Sequence, residues 1–180
     1  MAQNTRDKIL NTAEKLIMDT GNSEVTLDQI ASELGLSHAA IYKHFRNKQA
    51  LWEAVASVWF NREIINKIKI SSSISQKEQL HDWLWAFVNA KKTAFNTDSK
   101  MFALNTEYID NNPSALHNVL ISAYKEIDSI MNYQDFTFEK SEMILAVFSI
   151  FTLPNFKDTW NEPDYNKRFE VLWNLIKDGI

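Results

Sequence analysis

The chain has 180 residues, among them three glycines, three prolines and no cysteine, so a turn-rich β-sandwich or barrel, which uses glycine and proline in its tight turns, gives way to a mostly helical fold. Without cysteine there is no disulfide, thiolate metal site, iron–sulfur cluster or cysteine nucleophile, and a reducing, cytoplasmic setting is expected. Its 23 acidic against 19 basic residues give a net charge of −4 and argue against a general polyanion-binding role, yet residues 34–52 contain no Asp or Glu while holding His38, Lys43, His44, Arg46 and Lys48.

Residues 1–19 are amphipathic and lack the apolar stretch of a secretory signal. The most apolar run, residues 143–154, is about half the length of a membrane span, so no membrane partner is expected. From Thr5 onward Ile9, Ala13, Leu16 and Ile17 share one helical face, and Gly21 is expected to close that helix. Thr26 with Gln29 forms a capping box ahead of Leu27, Ile30, Ala31 and Leu34, and Gly35 ends this second helix after two turns. Ser37 caps a third, short helix over 38–44, and Asn47 caps a fourth that runs from Lys48 to about residue 70. The serine-rich stretch 71–75 interrupts the pattern, and Ser75 with Glu78 opens a helix over 76–95. Further helices are predicted over 98–109, 113–131, 138–153 and 163–178, with Asn112 and Pro113 as a cap and first-turn pair. The result is an all-α chain of about nine helices, divided at 1–47, 48–70 and 71–180.

Ala31, Gly35 and Ile41 have the spacing of a helix-turn-helix. A small residue at 31 permits close approach of the next helix, Gly35 supplies a positive φ in the turn, and Ile41 fills the space between the helices. Ile41 and Phe45 are therefore core, and the other face of the third helix, with His38, Ala39, Ala40, Tyr42, Lys43 and His44, is left to enter a DNA major groove. Lys48, in the first turn of the fourth helix, stands beside backbone N–H groups that favour phosphate. His81 and His117 are expected to be ordinary helix-face residues. No metal-ligand spacing and no phosphate-binding glycine loop is present in the sequence, so neither metal nor cofactor is expected.

Residues 5–55 resemble the DNA-binding domain of the TetR family of bacterial transcriptional regulators. The resemblance runs through Thr26-Leu27-Asp28-Gln29-Ile30-Ala31, Leu34-Gly35-Leu36-Ser37, Ile41-Tyr42-Lys43-His44-Phe45 and Lys48-Gln49-Ala50-Leu51. It implies that Thr26, Ser37, Tyr42, His44 and Lys48 hold phosphates, and that His38, Ala39, Ala40 and Lys43 face base edges of a double-stranded operator. Two departures stand out. Ala40 replaces a frequent hydroxyl, and Arg46-Asn47 replaces the commoner Pro-Ser, keeping the cap and adding a cation.

The C-terminal two-thirds is rich in large apolar side chains. Trp83 and Trp85 stand two apart on one helix and point to roughly opposite faces, so they cannot both fill one core. The resemblance implies a cavity for a small apolar or aromatic effector, for which Trp83, Phe87, Phe102, Tyr108 and Tyr124 are candidates. It also implies a homodimer joined through the last two helices, with Phe148, Phe151, Phe169, Leu172, Trp173 and Ile176 as candidates. Together these give a repressor released from a palindromic operator by its effector. The alternatives are a helix-turn-helix protein that answers to a protein partner and an all-α enzyme, for which no convergent polar constellation is visible.

Overall fold

The computed structural model describes residues 4–20, 25–71 and 75–180, and over these it contains ten α-helices and no strand. Gly21 and residues 72–74 of the serine stretch, to which the sequence assigns a helix stop and a break, lie outside the described residues. The helices are α1 (Thr5–Thr20), α2 (Leu27–Leu34), α3 (His38–Tyr42), α4 (Lys48–Glu63), α5 (Gln76–Thr97), α6 (Ser99–Asn105), α7 (Pro113–Met131), α8 (Glu139–Val147), α9 (Ser149–Thr152) and α10 (Tyr165–Ile176).

Several ends fall where the caps put them. Asn112 Oδ1 accepts from the N–H of Ala115 at 3.2 Å, with Pro113 as the first helical residue of α7, and Ser75 and Glu78 cap α5 reciprocally. Helix α4 stops at Glu63, short of the expected residue 70, and is followed by a 3₁₀ turn over Ile65–Lys67. The run Ile64-Ile65-Asn66 explains this, because β-branched side chains and Asn are weak helix formers. The expected helix over 98–109 begins at its Asp98 cap but widens into a π-helical turn over Thr106–Asp110, spanned by a bond from Asn105 Nδ2 to Asp110 Oδ2 at 2.9 Å. The expected helix over 138–153 is interrupted at Phe148, and Leu153 turns extended ahead of Pro154. The last helix begins at Tyr165, two residues after Pro163.

The chain forms two compact units. The first comprises residues up to Phe60 together with Asp98–Leu116, the second Asn61–Thr97 together with His117–Ile180. In the first, Ile9, Ala13 and Ile17 of α1, Leu27, Ile30 and Ala31 of α2, Ile41 and Phe45 are buried, as are Leu51, Trp52 and Val55 of α4. Three long-range bonds bring α6 and the start of α7 into this unit. Trp59 Nε1 donates to Asp98 Oδ2 at 3.0 Å, Lys100 Nζ to the Met18 carbonyl at 2.5 Å, and Asn112 Nδ2 to Glu53 Oε1 at 3.3 Å.

The second unit is built on aromatic rings. Helix α5 runs antiparallel to α10, with Lys77 Nζ donating to the Lys177 carbonyl, the His81 ring 5.2 Å from Trp173, Trp85 4.8 Å from Phe169, and the Tyr165 hydroxyl donating to the Val88 carbonyl at 3.2 Å. Trp85 thus meets α10, while Trp83 turns to its other side and stacks on Phe87 at 5.3 Å, which accounts for the opposed pair. Phe169 is also ringed by Phe148 at 5.1 Å and Phe151 at 5.9 Å. Phe148, Phe151, Phe169 and Trp173 are spent on the chain's own core, and Leu172 and Ile176 are half-buried. The apolar side chains that α8 and α10 leave in solvent are Met143, Val147, Val171 and Leu175, the last 76% exposed.

Candidate nucleic-acid interface

The recognition element is set by two turns of backbone chemistry. At the end of α2, Gly35 adopts φ 62°, ψ 32°, the Leu36 N–H reaches back to the Ala31 carbonyl at 2.9 Å, and the Gly35 N–H bonds the Ser32 carbonyl at 3.3 Å. This pair of bonds closes the orphan carbonyls of the helix and fixes the exit direction of the chain. A Cβ at Gly35 would meet no atom within 4 Å, so the requirement for glycine is the left-handed backbone itself. Ser37 then caps α3, its Oγ accepting from the Ala40 N–H at 3.2 Å, and Ile41 is buried behind it. Helical bonding continues past Tyr42, with the Lys43 N–H on the Ala39 carbonyl and the Phe45 N–H on the Ile41 carbonyl.

With Ile41 and Phe45 turned inward, the opposite side of this element stands in solvent. His38, Ala39, Tyr42, Lys43 and His44 are exposed and Ala40 is half-buried. Tyr42 is 45% exposed, so its phenol is free to meet a phosphate or a thymine methyl. Ser37 is exposed, its oxygen engaged as an acceptor from the Ala40 N–H. Thr26 differs. In the capping box its backbone N–H bonds Gln29 Oε1 at 2.7 Å, its Oγ1 accepts from the Gln29 N–H at 3.2 Å, and the same Oγ1 donates to Gln29 Oε1 at 3.1 Å. To hold a phosphate, this hydroxyl exchanges that last bond. Lys48 is exposed in the first turn of α4, where Asn47 Oδ1 accepts from the Ala50 N–H at 2.8 Å and preserves the cap.

Two features were not visible along the chain. The window 34–52 is free of acids in sequence but not in space, because α2 brings the exposed Asp28 to within 2.8 Å of His38 Nε2. The carboxylate places a negative charge on an otherwise acid-free face and limits where the His38 ring can turn. In addition, α1 brings the guanidinium of Arg6 to 5.1 Å from the centre of the Phe45 ring. Thirty-nine positions separate the two in sequence, and no local pattern announces the pair.

The candidate effector residues do not come together in one unit. Trp83, Phe87 and Tyr124 are buried in the second unit, whereas Phe102, buried, and Tyr108, half-buried, belong to the first. Burial, reinforced by the charge of Glu142, pushes the Tyr124 phenol up to about 12, and burial followed by the Glu107 charge also raises Tyr108. Two open grooves lie on the second unit. One of about 370 Å³ is lined by Lys77, Glu78, His81, Glu170, Trp173, Asn174 and Lys177, and one of about 320 Å³ by Ile150, Asp164, Lys167, Arg168, Val171, Leu172 and Leu175. None of the five candidates lines either groove. His81 contacts Asp82 at 3.1 Å and Glu170 at 3.1 Å, and no cluster of three metal-ligating side chains occurs among the described residues. No helix among them is long and apolar enough to cross a membrane.

The sequence model of bacterial regulatory proteins, tetR family, matches residues 9–55. The chain is 22% identical over 97% of its length, and 90% of the relative's, to the biofilm operon icaADBC negative transcriptional regulator IcaR of Staphylococcus epidermidis. Over 51 residues, 28% of this chain and 23% of the relative, it is 39% identical to the class C tetracycline repressor of Escherichia coli. In structure it is similar to BioQ, solved with its double-stranded DNA operator, at a TM-score of 0.62 and 17% identity over 98% of this chain and 99% of that one. It is also similar to the fatty acid degradation regulator FadR of Bacillus halodurans, at a TM-score of 0.57 and 17% identity over 98% and 96%. With the family match over residues 9–55, a regulator similar along nearly the whole chain and a shared all-helical fold in agreement, residues 9–55 form a helix-turn-helix of the kind found in the TetR family of bacterial regulatory proteins.

Proposed function

We propose that this protein is a repressor that binds a palindromic operator as a homodimer and is released from it by a small apolar or aromatic effector. The observation that carries the reading is the solvent-facing side of α3, with Tyr42, Lys43 and His44 presented by a turn whose geometry Gly35 and Ser37 fix. Lys43 with His38, Ala39 and Ala40 reads base edges, while Thr26, Ser37, Tyr42, His44 and Lys48 hold the backbone. Residues 1–47 serve as the reading domain, 48–70 as the connection, and 71–180 as the part that dimerises and binds effector. The dimer forms through Met143, Val147, Val171 and Leu175, because these are the apolar side chains the last helices leave uncovered.

Two recognition helices on one face of B-DNA stand about 34 Å apart, one helical turn, so the operator has two half-sites related by a dyad. The test is a gel shift on DNA upstream of the protein's own gene, followed by footprinting and light scattering. Dyad-symmetric protection by a dimer is expected, and protection of one asymmetric half-site by a monomer overturns the reading. Release follows from linkage. An effector that binds the DNA-incompetent state about a hundredfold better supplies roughly 2.8 kcal/mol, and operator DNA must weaken effector binding by the same factor. Helix α4, continuous from Lys48 into the second unit at Asn61, is the element through which the two events are joined. Among compounds that bind the protein, one whose dissociation constant is the same with and without saturating operator is not the effector.

A further inference from the structure

Arg6 is exposed in the first turn of α1, with its guanidinium 5.1 Å from the centre of the Phe45 ring. Phe45 is buried and closes the recognition element through its bond to the Ile41 carbonyl. The next three residues are Arg46, the cap Asn47 and the phosphate candidate Lys48. The ring therefore holds the arginine beside the C-terminal end of the DNA-facing segment. Among the described residues no carboxylate pairs with Arg6. An arginine used only to neutralise charge within the chain would have an acid beside it, and this one has a ring.

A guanidinium over an aromatic face uses its π surface and leaves its N–H edge free, and that edge matches the oxygens of a phosphate. Stacking also removes rotamer freedom before DNA arrives, which lowers the ordering cost of the contact. We infer that Arg6 is a DNA-backbone contact, clamping a phosphate at the flank of each half-site, with Phe45 as the residue that positions it. This rests on the DNA-binding reading and adds α1 to an interface otherwise formed by α2, α3 and α4. The competing account, in which the pair only fastens α1 to the end of α3, predicts an effect on stability and none on the electrostatics of binding.

The experiment uses the full chain and a 40-base-pair duplex of random sequence, since a phosphate contact is indifferent to base identity. Binding is measured against salt for the parent, Arg6→Ala, Arg6→Gln and Lys48→Ala, with a thermal melt of each protein. Each phosphate lost lowers the slope of log K against log salt by about 0.9, so a dimer missing two contacts loses about 1.8. Both Arg6 variants are expected to show that drop with selected base preferences unchanged, and Arg6→Gln, which keeps its stem over the ring, guards against a loss caused by unfolding. A parental slope in both folded Arg6 variants, alongside a reduced slope in Lys48→Ala, overturns the inference and leaves DNA binding standing. A parent with no salt-dependent binding overturns the DNA-binding reading and this inference with it.

Discussion

The first unit states its chemistry in short-range sequence, and the second does not. In the first, a threonine three residues before a glutamine, a glycine in a left-handed turn and a serine cap build the recognition element within about twenty residues. In the second, Phe169 collects its neighbours from α5, from the Phe148 junction and from α9, up to 88 residues away in sequence. A motif whose partners lie three or four residues apart can be read from the chain, while a ring cluster can be counted but not assembled. The lesson is visible in the dimer candidates. Phe148, Phe151, Phe169 and Trp173 are apolar and helical, which fits an interface as well as a core, and only the fold assigns them to the core.

The contrast can be tested most severely at Phe169. Its replacement by Ala removes a fully buried ring from the centre of the second unit and is expected to cost about 3–5 kcal/mol in urea unfolding. A loss under about 1 kcal/mol would mean that the aromatic cluster does not organise that unit. Next in size is the alkaline limb of stability. Burial and the Glu142 charge raise Tyr124 to about 12 against an ordinary value near 10, so the neutral phenol is favoured in the folded chain. Its contribution is full below about pH 10 and is lost as pH rises through about 12, a change of roughly 2–3 kcal/mol. Burial raises Tyr165 as well, which extends the loss upward. The unfolding midpoint of the parent should fall relative to that of Tyr124→Phe between about pH 10 and 12, so that the two curves separate, and parallel curves contradict the assignment.

In the first unit the expected effects are on specificity. Lys43→Ala should alter the bases selected from random duplexes at one position of each half-site, worth roughly 1–3 kcal/mol of discrimination, while leaving unfolding nearly unchanged. An unchanged consensus removes Lys43 from the reading face. The smallest effect belongs to the exposed stripe. Val171→Ala and Leu175→Ala should each shift the unfolding of the chain by no more than about 0.5 kcal/mol, yet weaken self-association in sedimentation. Self-association unaffected by both places the dimer joint elsewhere.

How far the sequence carries depends on how far apart the partners are. Thr26–Gln29, Ser37–Ala40, Asn47–Ala50 and Ser75–Glu78 are all three residues apart, and each was legible as a cap. The stop of α4 at Glu63 was missed because apolar periodicity outweighed the weak helix propensity of Ile64-Ile65-Asn66, and the π turn at Thr106–Asp110 leaves no trace in a pattern read at 3.6 residues per turn. At the candidate site, the exposed face of α3 was readable once Ile41 was placed inside. Asp28 beside His38 and Arg6 over Phe45 were not, since each depends on how one helix lies against another.

The bond from Trp59 to Asp98 has a consequence for synthesis. The first unit is discontinuous, and the residues that complete it, Asp98–Leu116, follow a stretch that belongs to the second. A ribosome therefore releases the whole recognition element before the segment that bonds the indole of Trp59 and the carbonyl of Met18 has emerged. The nascent reading head waits, with its back uncovered, for the chain to return. A fragment ending at residue 60 would remain in that waiting state, and the smallest stretch that can finish the unit reaches to residue 116.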